Sequence, residues 1–219
     1  MLSDITINES DSDGYNKRTG LNARSADLTI ALAVNYNTGG EKLTRRLAGK
    51  NFLALPLAKT DRELSIELYR YCRDNNVKSI NVAGNSIATL NRQNKNNYTQ
   101  AEINKRLFNI ISPVHNHLKF EKMISGGQTG VDFAGAVVAQ VLGIPFEMNM
   151  PKDYRQRNID GLDFTNTKEE ILASLAEQTM ELINTNTQEL EQKPKDAVVA
   201  KNKLKIWCEL YWILKWTFK

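Results

Sequence analysis

The residues best suited to ligand chemistry lie in one glycine-rich segment, SGGQTGVD, at Ser125 to Asp132. A short apolar run precedes it and a helix of small residues follows it, so the glycines occupy a strand-to-helix turn. Glycine lets the backbone approach a ligand closely, and a helix start offers unpaired N–H groups at the positive end of its dipole. We therefore predict an anion-binding loop in which Thr129 caps the helix or binds the ligand through its hydroxyl, and Asp132, in the first helical turn, accepts a ribose hydroxyl. The predicted loop residues are Gly126, Gly127, Gln128, Thr129 and Gly130. The alternative is a tight turn that binds no ligand.

Two further turns follow predicted strands and could contribute to the same site. Thr38, Gly39 and Gly40 lie between a strand and a helix that begins near Glu41. A third predicted strand ends in Asn81-Val82-Ala83-Gly84-Asn85, where Asn81, Gly84 and Asn85 could read a base or ribose edge or could simply form a turn. The carboxyl ends of parallel strands meet at one edge of a sheet, so these loops are expected to lie together.

Other chemistry-bearing residues give weaker indications. Lys152, after the last predicted strand, could face a phosphate or form a solvated basic loop with the two nearby arginines. His115 and His117 are separated by one residue and have no third partner, so we predict no metal site. The sequence contains no Gly-x-Ser-x-Gly elbow and no Walker A lysine.

The composition is that of an ordinary globular protein. The 219 residues are 41% hydrophobic and 25% charged, with a net charge of +4. This mild positive charge suits an anionic ligand, but it gives no strong signal for nucleic acid. Two cysteines provide no disulfide framework, and neither a signal peptide nor an apolar run of membrane-spanning length is found. We therefore expect a cytoplasmic protein.

Apolar runs alternate with helical patterns along the chain. Strands are predicted at residues 28–34, 52–57, 79–83, 122–124 and 144–148, and helices at residues 41–48, 62–75, 100–111, 132–142 and 169–182. Strands that alternate with helices through short turns indicate a three-layer, Rossmann-like α/β domain with a mostly parallel sheet.

Composition also suggests the domain limits. We predict a ligand-binding domain at residues 1–183 with a flexible arm at 1–14, a polar linker at 184–203, and an aromatic, helical tail at 204–219. The tail carries all three tryptophans. It could lie on a membrane surface, cover the domain's own core or dock in a homo-oligomer, and we expect docking on protein.

The segments ISGGQTGVD, AGAVVAQVLGIP and MPK resemble the molybdenum-carrier family, which belongs to the SLOG superfamily of Rossmann-like proteins. Further matches are Tyr15, Arg18-Thr19 and Asn22, the turn at Thr38, and INVAG. In that family GGQTGVD comes first and INVAG last, whereas here the order is reversed. The chain therefore resembles a circularly permuted member, an order similar to that of SLOG-like proteins of bacteriophages. For such a protein the expected location is the host cytoplasm.

The resemblance implies a nucleotide-related ligand, and it adds Arg18 to the expected binding residues. The phosphoribohydrolase branch of the superfamily carries a Pro-Gly-Gly-x-Gly-Thr-x-x-Glu motif with a catalytic glutamate, and neither glycine turn here has that form. We therefore expect a binding protein that senses or sequesters a nucleotide-derived, ADP-ribose-like ligand. The alternatives are a nucleotide N-glycosidase using Asp132 or Glu41, and a molybdenum-cofactor carrier. No other cofactor is predicted.

Overall fold

A computed structural model describes residues 4–10, 15–93 and 97–191. Six strands form one sheet: β1 Ile5–Glu9, β2 Leu28–Ala33, β3 Phe52–Pro56, β4 Ser79–Gly84, β5 Lys122–Ser125 and β6 Phe146–Met150. The helices are α1 Tyr15–Arg24, α2 Gly39–Ala48, α3 Asp61–Asp74, α4 Ile87–Gln93, α5 Gln100–Leu118, α6 Val131–Leu142 and α7 Lys168–Glu191. A short antiparallel pair, β7 Gln156–Arg157 with β8 Asp163–Phe164, lies apart from the main sheet.

The strand order in the sheet is β1-β6-β5-β4-β2-β3, and every neighbouring pair is parallel. Two connections, from β1 to β2 and from β2 to β3, advance toward the β3 edge of the sheet; they contain α1 and α2, which pack against each other. The connections from β3 to β4, from β4 to β5 and from β5 to β6 advance toward the β1 edge. They contain α3, α5 and α6, which pack side by side. Right-handed crossovers in opposite directions place these two helix groups on opposite faces of the sheet. The prediction of a Rossmann-like parallel α/β fold is confirmed.

The two faces of the sheet differ in chemistry. The face toward α5 and α6 is apolar and includes the fully buried Ile30, Ile80 and Met123. The face toward α1 carries polar side chains, since Asn149 donates through Nδ2 to Asn22 Oδ1 of α1 at 2.8 Å. A parallel strand buried on both sides normally presents apolar residues to both layers. Polar groups on one face therefore point to a site between the sheet and the α1–α2 layer.

The structure differs from the sequence prediction in the arm at residues 1–14. Residues 5–9 form β1, and the chain from Tyr15 forms α1. Ile7 of β1 is buried and Ile5 is partly buried against the core, whereas the other three residues of the strand are polar. Two apolar residues are too few for the alternation to identify a strand.

Two helices run beyond their predicted ends. Helix α5 continues past Ile111 to Leu118 with Pro113 inside it. Helix α7 continues through Glu191 and includes residues 184–191 of the predicted linker, where no glycine or proline interrupts the pattern. One compact unit ends at Leu182 and a second begins at Ile183. The rest of the linker and the aromatic tail lie outside the described residues. No helix in the described part of the chain is long and apolar enough to cross a membrane.

Candidate functional site

A cleft of about 480 Å³ opens between α1, α2 and the carboxyl ends of the central strands. Ligands of open α/β sheets collect at this edge, outside the carboxyl ends of the strands. Its lining residues are Arg18, Thr19, Asn22, Thr38, Gly39, Gly40, Glu41, Leu43, Thr44, Asn81, Val82, Ala83, Gly84, Ser86, Thr89, Gly126, Gln128, Asp132 and Arg157.

The backbone N–H groups of the GGQTG bend are largely used inside the protein. Gly127 N donates to Ser125 Oγ at 3.2 Å, and Gly130 N donates to Gln100 Oε1 at 2.6 Å. The following amides donate within the same region: Thr129 N to Gln128 Oε1, Val131 N to Asn85 O and Phe133 N to Gln128 O. The bend therefore does not present these amides to an anion, which corrects the prediction made from its glycines.

The chain at β7 covers the bend. Gln156 Nε2 donates to Gly127 O at 2.7 Å, and Arg157 N donates to Gln128 Oε1 at 2.7 Å. Thr129 Oγ1 donates in turn to the carbonyl of Arg157. Gly127 and Gly130 are required by packing, because a Cβ at Gly127 would lie 2.8 Å from Met148 Sδ. The bend serves as a scaffold that positions Asp132.

Asp132 is the most strongly perturbed ionisable group of the cleft. The residue as a whole is half-buried, and its carboxylate accepts hydrogen bonds from the backbone N–H groups of Gly84 and Gln128. Burial raises the pKa of Asp132 to about 7, the Arg18 guanidinium opposes this shift, and the Glu41 carboxylate adds to it. Near neutral pH Asp132 can therefore exchange a proton.

Glu41 is the second carboxylate of the cleft. It lies in the first turn of α2 and is buried, and its side chain is hydrogen-bonded to Asn85. Burial raises the pKa of Glu41, and the bond to Asn85 partly offsets that shift. The cleft therefore contains two carboxyl groups with raised pKa values beside Arg18.

Helix α2 begins at the cleft with two glycines that the protein itself does not require. Thr38 caps the helix by accepting a hydrogen bond from Glu41 N at 3.3 Å. The first turn of a helix has no internal partners for its N–H groups, so those of Gly39 and Gly40 are available at the cleft. A Cβ at either glycine would meet no atom of the described residues within 4 Å. Space and unpaired donors at a helix start fit an anion in contact with the backbone.

Asn81 lies deeper in the cleft, in the middle of β4. Its side chain donates through Nδ2 to Thr29 Oγ1 at 3.2 Å on the neighbouring strand. Asn81 is 2% exposed, and its Oδ1 accepts no hydrogen bond from the residues that the structure describes. A buried polar atom of this kind normally has a partner.

The structure gathers most of the predicted site residues. Those that line the cleft are Arg18, Thr38, Gly39, Gly40, Glu41, Asn81, Gly84, Gly126, Gln128 and Asp132. Those that do not are Gly127, Thr129, Gly130, Asn85 and Lys152. Lys152 is exposed in a short 3-10 helix, and Asn85 is a structural residue beneath the cleft.

Several lining residues were not predicted as binding residues, among them Thr19, Asn22, Thr44, Ser86, Thr89 and Arg157. Arg18 and Asn22 are four positions apart, and this spacing places them on the same side of α1. That spacing could have added Asn22 to the predicted Arg18 had the segment been recognised as a helix. The guanidinium of Arg157 is bonded to Asp163, with Nε at 2.7 Å from Oδ1.

His115 has a structural role at the end of α5, where its Nδ1 accepts a hydrogen bond from Phe120 N at 3.1 Å. Within residues 4–10, 15–93 and 97–191, no group of three or more His, Cys, Asp or Glu side chains could hold a metal ion.

A parallel six-stranded sheet with a polar cleft at the carboxyl ends of its strands defines a Rossmann-like α/β protein. Residues 3–103 match the model of the circularly permutated YpsA SLOG family. These residues are therefore similar to a SLOG family in circularly permuted order, which supports the resemblance found in the sequence. It includes the turn at Thr38 and the strand end at Gly84, whereas GGQTGVD lies outside the matched residues. A comparison with curated proteins finds no match.

Proposed function

We propose that the cleft binds a nucleotide-derived anion of the ADP-ribose type, with a phosphate at the start of α2. The observation that carries this proposal is the pair Gly39 and Gly40, which line the cleft with open space where a side chain would lie. A glycine in a helix lowers stability relative to alanine. Because packing does not require these two glycines, close approach of a ligand to the backbone is the explanation that we favour for them.

Charge in the cleft is compatible with such a ligand. Arg18 is 8% exposed, and its guanidinium acts on the Asp132 carboxylate. A ligand phosphate at α2 would gain from the helix dipole and from this cation. The carboxyl groups of Asp132 and Glu41 would then face the hydroxyl-bearing part of the ligand, because carboxylates accept hydrogen bonds from sugar hydroxyls.

The Gly40→Ala variant tests the phosphate position. We expect it to fold with equal or slightly higher stability, by about 0.5 kcal/mol, because alanine favours the helix. Its affinity for ADP-ribose or AMP should fall by at least about 10-fold, since the new methyl group occupies the phosphate position. Titration calorimetry against a nucleotide panel, with thermal melting alongside, measures both effects.

Gly20→Ala is the matched control. Gly20 lies in α1 outside the cleft lining, and an added Cβ would meet only the flexible end of Arg24, at 3.0 Å. This variant should bind like the wild type. Failure of the wild type to bind any member of the panel would refute the proposal. Equal affinity of Gly40→Ala and the wild type would show that the phosphate does not bind at the start of α2.

The perturbed carboxyl pair favours a second candidate function, hydrolysis of a nucleotide N-glycosidic bond. A carboxyl group with a pKa near 7 can act as a general acid at neutral pH, as in glycoside hydrolysis. The bond between C1′ and the base nitrogen would break as Asp132 gives its proton to the departing base, and the oxygen of a water would join C1′ while the water's proton returns to the Asp132 carboxylate. The Glu41 carboxylate would stabilise the positive charge that develops on the sugar.

Incubation with nucleoside monophosphates, followed by chromatography for free base, tests this activity. Turnover by the wild type should fall by at least about 100-fold in Asp132→Asn and in Glu41→Gln, the range typical for general acid–base groups. Asp27→Asn, a carboxylate change outside the cleft lining, should keep full activity. Absence of base release from the wild type would leave binding alone as the function of the cleft.

A further inference from the structure

The buried amide of Asn81 is only partly satisfied by the protein. Its Nδ2 bonds to Thr29 Oγ1, whereas its Oδ1 has no donor among the described residues. The side chain is 2% exposed and lines the cleft. Leaving a buried acceptor unpaired is costly, so a ligand that brings a donor to this atom gains affinity.

The neighbouring groups specify what kind of donor fits. Asp132 and Glu41 also line the cleft, so three side chains with acceptor oxygens surround the space that a ligand would occupy. Each hydroxyl supplies one O–H donor, so a ligand that carries several hydroxyls can pair with several such oxygens. In a nucleotide, the sugar hydroxyls are the donors nearest to the phosphate.

We propose that Asn81 Oδ1 accepts a hydrogen bond from a pentose hydroxyl of the ligand and thereby selects ribose over deoxyribose. This inference rests on the proposed phosphate position at α2, since Asn81 lines the same cleft as the start of that helix. A site built to bond a hydroxyl discriminates strongly against the analogue that lacks it, because the protein acceptor is then left unpaired. Asn81 is thus a specificity-determining residue of the cleft.

Calorimetry with ribose 5-phosphate, 2-deoxyribose 5-phosphate and 3-deoxyribose 5-phosphate tests the inference. The wild type should prefer ribose 5-phosphate over at least one deoxy analogue by about 10-fold or more. Asn81→Leu should lose that preference while keeping its affinity for the disfavoured analogue. Thr29→Val is the control, since Thr29 is buried outside the cleft lining and its loss leaves the Asn81 acceptor in place.

If Asn81 had only a structural role, Asn81→Leu and Thr29→Val would both melt at an equally lower temperature, and both would keep the preference for ribose 5-phosphate. Equal affinity of the wild type for all three sugar phosphates overturns the inference and leaves the phosphate position standing, a result that requires no variant to fold. Retention of the preference in Asn81→Leu also overturns it. Absence of binding by all three sugars and by ADP-ribose would instead refute the proposed function.

Discussion

Replacing Asp132 by asparagine is expected to raise the melting temperature at pH 8 by about 5 °C or more, and to raise it much less at pH 5. The carboxyl group of Asp132 is held in a site that disfavours its charge, and burial raises its pKa to about 7. Asparagine has nearly the same shape and carries no charge. Thermal melting of both proteins across this pH range measures the effect.

The sign follows from proton binding. The usual pKa of an aspartate is 3.8, so the unfolded chain releases this proton at a lower pH than the folded protein does. Between about pH 4 and pH 7 the folded state therefore holds more protons, and its stability declines as the pH rises, by roughly 1.4 kcal/mol per unit at most. Above about pH 7 the loss is complete. Asparagine cannot ionise, so the variant does not lose this stability as the pH rises. Its side chain is a weaker acceptor for the backbone N–H groups of Gly84 and Gln128.

Asp27→Asn is the matched control with the opposite sign. Burial acts to raise the pKa of Asp27, but hydrogen bonds from Lys78 and Ser79 outweigh it and lower the pKa. The charged form of Asp27 stabilises the fold above its usual pKa, so this variant should melt lower at pH 8. A lower melting temperature for Asp132→Asn at pH 8 would show that its carboxylate is a net stabiliser and contradict the argument.

The Gly130→Ala variant should lose about 3 kcal/mol or more of unfolding free energy. Gly130 has a φ of 89° at the start of α6, a conformation that strains residues with a side chain. A Cβ here would also lie 2.6 Å from both Asn85 O and Ile87 N, and these backbone atoms cannot move aside easily. Denaturant unfolding measures the difference.

Gly143→Ala isolates the contribution of the backbone conformation. Gly143 ends the same helix with a φ of 69°, but a Cβ at this position would meet no atom within 4 Å. Its substitution should cost about 1 kcal/mol, the strain of a left-handed conformation alone. Equal losses in the two variants would show that crowding at Gly130 is relieved by local movement.

The fold was largely predictable because its central strands are short, mostly apolar runs that end in glycine or asparagine. Such runs identify strands buried between two layers, and β2 and β4 were found this way. The edge strand β1 was missed because it carries only two apolar residues, the buried Ile7 and the partly buried Ile5. Helix α1 was missed because its buried positions include Arg18 and Asn22, which are polar and serve the cleft.

The location of the candidate site was predictable, but the roles of its glycines were not. A glycine can be required by a ligand or by packing, and the sequence does not distinguish the two. The structure assigns Gly127 and Gly130 to packing and leaves open space at Gly39 and Gly40. The more conspicuous motif is thus a scaffold, and the weaker turn offers the helix start. Only three-dimensional neighbours could reveal this difference.

Asn85 joins three parts of the protein that approach the cleft from different points in the sequence. Its Oδ1 accepts hydrogen bonds from Val34 N and Asn35 N, its carbonyl accepts one from Val131 N, and its side chain is bonded to Glu41. The end of β2 and the starts of α2 and α6 are therefore fixed to one another before any ligand arrives. Such preorganisation keeps the entropy cost of association low and predicts nearly superimposable free and bound backbones.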